Sequence, residues 1–191
     1  MIVGITGGSG SGKTTALRVI EKMGGLVLDC DAIYHRLLEE DTKLLQAIDE
    51  AFPNTVENGK LNREKLAKWV FSDASALEKL NQITHTAVKQ QVLQQLKNPP
   101  ALVAIDAIEL FTSGLAELCD VTVAVIAPEK HRLKRLVERD AITEQAVQRR
   151  LAAQHTDSWF ARHCDHILEN NGTLEEFQKE CLAFFTGLGI M

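Results

Sequence analysis

Four glycines within six positions, Gly7, Gly8, Gly10 and Gly12, followed at once by Lys13 and Thr14, constrain this chain more than any other stretch. They lie between a short β-branched run (Ile2, Val3, Ile5) and an apolar-periodic segment, Thr15 to Met23. The order is strand, loop, helix. Gly7, Gly12, Lys13 and Thr14 complete G-x-x-x-x-G-K-[ST], the pattern of a phosphate-binding loop. Glycines let the backbone turn tightly and aim successive N–H groups at one anion, and a helix starting near Lys13 adds the positive end of its dipole. Lys13 then reaches the outer phosphates of a nucleotide and the Thr14 hydroxyl ligates Mg²⁺. A glycine-rich turn with a solvated lysine is the plainer reading, and the flanking strand and helix argue against it.

The rest of the chain reads as the framework such a loop needs. Gly24-Gly25 closes the first helix, and Leu26-Val27-Leu28 reads as a buried strand leading into Asp29-Cys30-Asp31. From Ala32 to Pro100 the pattern is almost wholly helical. Leu37, Leu38, Leu44, Leu45 and Ile48 recur at helical spacing, a loop spans Pro53 to Asn62, and helices follow over Arg63 to Phe71 and Ser75 to Lys97. Strands return at Ala101 to Ile105, at Val121 to Ile126, and briefly at Ile167 and Leu168, separated by helices near Ser113 to Leu118, Glu129 to Arg139 and Thr143 to Gln154. A helix over Thr173 to Thr186 closes the chain. The alternation predicts an α/β fold: a five-stranded parallel sheet with helices on both faces and a helical insertion after the second strand.

Composition narrows the class. The 191 residues suffice for one core, or one core with an inserted region, and 45% hydrophobic with 25% charged residues is an ordinary globular balance. A net charge of −5 gives no support to nucleic-acid binding. No apolar run approaches a membrane span, and the first strand enters the loop immediately, so neither membrane partner nor signal peptide is expected. Cys30, Cys119, Cys164 and Cys181 are widely spaced, as in a reduced cytosolic protein, and six histidines form no metal-binding spacing. Cys30 reads as packing.

Beyond the loop, three groups carry candidate chemistry. Asp31, just past the second strand, is placed to accept a proton from a hydroxyl attacking a γ-phosphate, although it and Asp29 could equally cap the helix from Ala32. Asp106 ends an apolar strand, as a Mg²⁺-holding aspartate does. Arg132, Arg135, Arg139, Arg149, Arg150 and Arg162 form a group that could close over a nucleotide or remain a solvated helix surface.

Together these motifs resemble the dephospho-CoA kinase family, from Ile2 to about Gly172. The landmarks are Thr6-Gly7-Gly8, Asp29-Cys30-Asp31, Asn58 to Arg63, Val70-Phe71, Leu80-Asn81 with His85, Arg135, Arg139-Asp140, Arg150 with Gln154, and Asp165-His166-Ile167 leading to Asn170-Asn171-Gly172. The resemblance implies a three-layer P-loop kinase fold in one domain, with a core over 1–31 and 101–191, a helical acceptor-binding insertion near 32–100 and a short helical lid near 140–160. It implies transfer of phosphate from ATP to the ribose 3′-hydroxyl of dephospho-CoA, with Mg²⁺, in the cytoplasm. Gly8 and the run Gly10, Ser11, Gly12, Lys13, Thr14 and Thr15 would hold ATP with Arg139 and Asn170. Lys13, Asp31 and Arg139 would be catalytic, Asp31, Arg63 and His85 would receive the acceptor, Arg150 would belong to the lid, and Thr14 with Asp106 would hold the metal. The chain departs from the family at three places: Ser9 stands where isoleucine is common, Thr86 where proline is usual, and the segment Ile108 to Thr112 where P-L-L-F-E is expected. The last change leaves Asp106 and Glu109 as alternative aids to the metal. The loop is also similar to that of uridine kinases, and a nucleotide-dependent switch is a further alternative, though no N-K-x-D sequence is present.

Overall fold

β1 (Ile2–Thr6) is nearly all apolar because it runs through the middle of a sheet and is covered on both sides. A computed structural model describes residues 1–189, the Ser72 side chain apart. Five parallel strands pair in the order β2 (Leu26–Asp29), β5 (Val103–Asp106), β1, β6 (Val121–Ile126), β7 (His166–Glu169). Val3 and Ile5 of β1 pack with α1 (Lys13–Lys22) and α9 (Leu174–Gly187) in one continuous core, joined by Ile20, Val123, Val125, Phe177 and Phe185. Gly4 faces the opposite way, where a Cβ would come within 2.8 Å of both Leu110 and Cys119. The second strand differs from expectation: β2 is an edge strand, and only Leu28 in it is buried.

Local signals explain the boundaries. α1 ends in a Schellman motif, with Gly25 N–H donating to the Ile20 carbonyl and Gly24 N–H to that of Glu21, and Gly24 takes φ +83°. α9 begins with a full capping box, Thr173 against Glu176. β6 and β7 are stitched by Asp165, whose carboxylate accepts from the Thr122 N–H at 2.8 Å and from its hydroxyl at 2.7 Å. Those two bonds, the hydroxyl's first, hold the Asp165 carboxyl below its ordinary range. A depressed carboxylate stabilises the fold above its unfolded pKa of about 3.9 and loses that contribution as pH falls through the folded value. Asp165→Asn is therefore expected to lower the melting temperature by roughly 2–4 °C at pH 7, for each kcal/mol lost in a chain of this size. The gap from the parent should shrink below about pH 4, and a gap constant from pH 7 to pH 3 would contradict this account.

The chain divides into two compact units: 1–28 with 99–110 and 115–191, and 29–98 with 111–114. The second unit is helical, comprising α2 (Cys30–Glu40), α3 (Thr42–Ala51), α4 (Arg63–Ser72) and α5 (Ala74–Gln95). α5 buries Leu80, Thr84, Val88 and Val92, a strict four-residue stripe, and the Thr84 hydroxyl is satisfied by the Leu80 carbonyl. Leu77, expected in that stripe, is exposed. Asp41 splits the Leu37–Ile48 pattern into two helices by accepting from the N–H groups of Lys43 and Leu44. The expected loop at Pro53 to Asn62 contains a hairpin, β3 (Val56–Glu57) and β4 (Lys60–Leu61), turning on Asn58 and Gly59 at positive φ. In the first unit the expected helix near Ser113 to Leu118 is a single 3₁₀ turn, Ala116–Leu118. α6 (Glu129–Asp140) and α7 (Glu144–Ala152) are followed by a short helix not foreseen, α8 (Asp157–His163). Among the described residues no helix is long and apolar enough to cross a membrane.

Candidate active site

The loop between β1 and α1 takes its shape from glycine. Gly7, Gly10 and Gly12 have φ of +131°, +76° and +112°, conformations costly for any residue with a Cβ. A Cβ on Gly7 would lie 2.1 Å from the Val125 carbonyl oxygen, and one on Gly12 would lie 2.2 Å from Asn170 Nδ2. The loop is thus pressed between β6 and the turn after β7. α1 begins without a side-chain cap and without an acid in its first turn, whereas α2 to α5 and α7 to α9 each carry an Asp, Asn or Thr cap. Its first N–H groups and dipole are left for an anion. The Ser11 hydroxyl is buried without a hydrogen-bond partner among the described residues, a polar atom in need of a ligand. Lys13 folds back onto the loop, Nζ donating to the Gly7 carbonyl at 2.7 Å.

Two arginines and two amides brace the loop from outside. Arg135 Nη1 donates to the Gly10 carbonyl at 3.1 Å, and its Nη2 donates to Asn170 Oδ1 at 3.3 Å. Asn170 Nδ2 donates to the Ser11 carbonyl at 2.8 Å, and this residue is buried. Arg132, 6% exposed, donates through Nε to the Ser9 carbonyl, and Gln154 meets the N–H and hydroxyl of Ser9. Arg132 and Arg135, expected in a group that closes over the nucleotide or stays a solvated surface, instead brace the loop's carbonyls, and Gln154, a landmark residue only, joins them. Their contacts with the loop span more than 120 residues, so no local pattern marks them.

The other expected site residues fall as follows. Thr14 is exposed in the first turn of α1, and Thr15 is half-buried behind it. Asp106 ends β5 in register with Ile5 of β1, the strand that feeds the loop. Glu109 is exposed three residues on. Arg139 and Arg150 share one carboxylate, Asp140, at 2.6 and 2.9 Å. That bond, Arg139's above all, holds the Asp140 carboxyl below its usual value and raises the Arg139 guanidinium. In the second unit, Asp29 caps α2 by accepting from the Ala32 N–H at 2.9 Å, while Asp31 stands exposed in the first turn without serving as the cap. Arg63 opens α4 beside an apolar pocket of about 210 Å³ lined by Tyr34, Leu38, Leu66, Val70 and Phe71. His85 lies half-buried on α5.

Among the described residues no cluster of three or more His, Cys, Asp or Glu side chains could hold a metal. Mg²⁺ does not need one: it takes one or two protein oxygens and completes its shell with phosphate and water. A hydroxyl such as that of Thr14 and a carboxylate such as that of Asp106 are oxygen donors of the kind it takes. Three of the cysteines offer no nucleophile at neutral pH. Burial pushes the Cys119 and Cys181 thiols up to about 12 and Cys164 up to about 11, which keeps them protonated.

The family model for dephospho-CoA kinase, CoaE, matches residues 1–176. A dephospho-CoA kinase from Salinibacter ruber is 35% identical over 192 residues, covering 96% of this chain and 95% of its own. A solved protein from Thermus thermophilus superposes with a TM-score of 0.79 at 32% identity, covering 98% of this chain and 97% of the other. The solved dephospho-CoA kinase from Campylobacter jejuni shares the fold, with a TM-score of 0.70 at 24% identity over 98% of this chain and 96% of its own. The chain belongs to the dephospho-CoA kinase family.

Proposed function

We propose that this protein transfers the γ-phosphate of ATP to the ribose 3′-hydroxyl of dephospho-CoA, completing coenzyme A. The observation that carries the reading is the glycine loop running into an uncapped α1 with Lys13 folded over it, in a chain of this family. Gly8, Gly10, Ser11, Gly12, Lys13, Thr14 and Thr15 cradle the phosphates through backbone N–H groups, the Ser11 hydroxyl and the lysine ammonium. Thr14 and Asp106 would hold Mg²⁺, which would neutralise phosphate charge there. Asp31 accepts a hydrogen bond from the attacking hydroxyl, either orienting it or also taking its proton as the new P–O bond forms and the γ-phosphorus bond to the ADP oxygen breaks. Arg63 and His85 receive the acceptor. Arg139, with Asn170, lies on the nucleotide side, and Arg150 belongs to a lid near residues 140–160. The transfer is direct and in line, with no phosphoenzyme, so its acceleration comes from positioning and charge stabilisation.

The test is ADP release from Mg·ATP with dephospho-CoA, with uridine and with no acceptor. Turnover is expected with dephospho-CoA alone, with a product one phosphate heavier. Turnover with uridine would transfer the protein to the uridine-kinase reading, and acceptor-independent ADP release would leave only an ATPase or switch.

A further inference from the structure

One loop residue is held at every polar atom it has. The Ser9 N–H donates to Gln154 Oε1 at 2.9 Å, its hydroxyl accepts from Gln154 Nε2 at 2.8 Å, and its carbonyl accepts from Arg132 Nε at 3.0 Å. Arg132 links the same group to α8, with Nη1 3.3 Å from Asp157 Oδ1 and Nη2 3.5 Å from Gln154 Oε1. Gly8 leaves room for this: a Cβ there would lie 2.1 Å from Arg132 Nη2. α6 and the α7–α8 junction therefore converge on a single serine, and α8 is tied to them through Arg132. A bond that uses both ends of an amide fixes its direction as well as its distance, as two-pronged contacts do elsewhere. Gln154 follows directly on α7, the helix that carries Arg149 and Arg150, and Arg150 is four residues before it.

We infer that Ser9 and Gln154 form a latch that sets the position of α7 and its arginines relative to the phosphate loop. Neither side chain need touch a substrate; both are positioning residues, acting through the guanidinium groups they place. The hydroxyl of Ser9 is one prong, so its identity at this position matters to the latch. The kinetic part of the idea rests on the kinase reading above, and the structural part does not.

The two parts are tested separately. Three variants form a series. Gln154→Ala removes both prongs. Ser9→Ala removes one and keeps both backbone contacts. Gln154→Glu still accepts from the Ser9 N–H and can accept from its hydroxyl. The expected order of kcat loss is about tenfold, about threefold and within twofold, with KM for dephospho-CoA within twofold throughout. The structural readout is Trp159 of α8, stacked between His155 and His163 with ring centroids 3.8 and 3.9 Å away. The chain has two tryptophans, so each variant is made in a Trp69→Phe background and its emission quenched with acrylamide. Quenching should rise about twofold in Gln154→Ala, less in Ser9→Ala, and not at all in Gln154→Glu. Unchanged quenching across the series would overturn the latch whatever the kinetics. So would a Gln154→Glu variant as impaired as Gln154→Ala, or a loss spread equally over kcat and both KM values. Absence of turnover in the parent protein would instead overturn the functional reading.

Discussion

Replacing Lys13 with alanine should cost about three orders of magnitude in turnover while leaving the fold in place. A unit charge about 4 Å from a phosphate oxygen, at an effective dielectric near 20, is worth about 4 kcal/mol. At about 1.4 kcal/mol per decade, that is roughly 10³-fold if the charge acts chiefly on the transition state. The structural cost is smaller, because the Nζ bond to the Gly7 carbonyl is one hydrogen bond in a loop braced separately by Arg132, Arg135 and Asn170. Lys13→Arg should not rescue, since the planar guanidinium is too broad for a cradle sized to an ammonium. The check is ADP release at saturating dephospho-CoA, with far-ultraviolet circular dichroism to confirm the fold. A loss smaller than tenfold would remove Lys13 from the chemistry.

Asp31→Asn is expected to lower turnover by roughly 10²-fold or more, with ATP affinity within a few-fold of the parent. Asparagine keeps the shape and one acceptor but cannot take a proton or carry charge. The neighbouring carboxylate supplies the control. Asp29 is engaged with the Ala32 N–H as the cap of α2, and asparagine caps about as well as aspartate, so Asp29→Asn should leave both turnover and stability nearly unchanged. Steady-state kinetics of the two variants side by side decide the matter. Equal losses would assign both aspartates to structure, and near-normal turnover in Asp31→Asn would sink the catalytic assignment.

The sheet and its order of elements were legible because the three central strands are largely apolar runs, and each of the five was bounded by glycine or an acid. The helical insertion was legible as a whole but not in its joints. Leu37 and Leu38 are followed seven residues later by Leu44 and Leu45, two helical turns on, so the apolar stripe runs unbroken across the break that Asp41 makes. The Asn58-Gly59 turn was a signal present in the sequence and read only as a loop, since strands of two residues carry no alternation of their own. α8 buries only Phe160, and seven residues show no helical period. At the site, the loop itself is a local pattern and was found. Its braces are not: Asn170 meets Ser11 across 159 residues and Gln154 meets Ser9 across 145, and such pairings exist only once the sheet has formed.

Asp140 has a further consequence. Its carboxylate already occupies two guanidinium groups, Arg139 and Arg150, so neither arrives at a nucleotide as an uncommitted cation. Any phosphate that recruits them does so by exchange, one anion displacing another, and the Asp140 charge is returned to water in the same step. Exchange releases fewer bound counterions than addition, so the affinity such a pair contributes should vary less with ionic strength than two positive charges alone would suggest. Were a nucleotide to recruit them, the same carboxylate would be at hand to reclaim both arginines once the product left, an internal counterion for the pair.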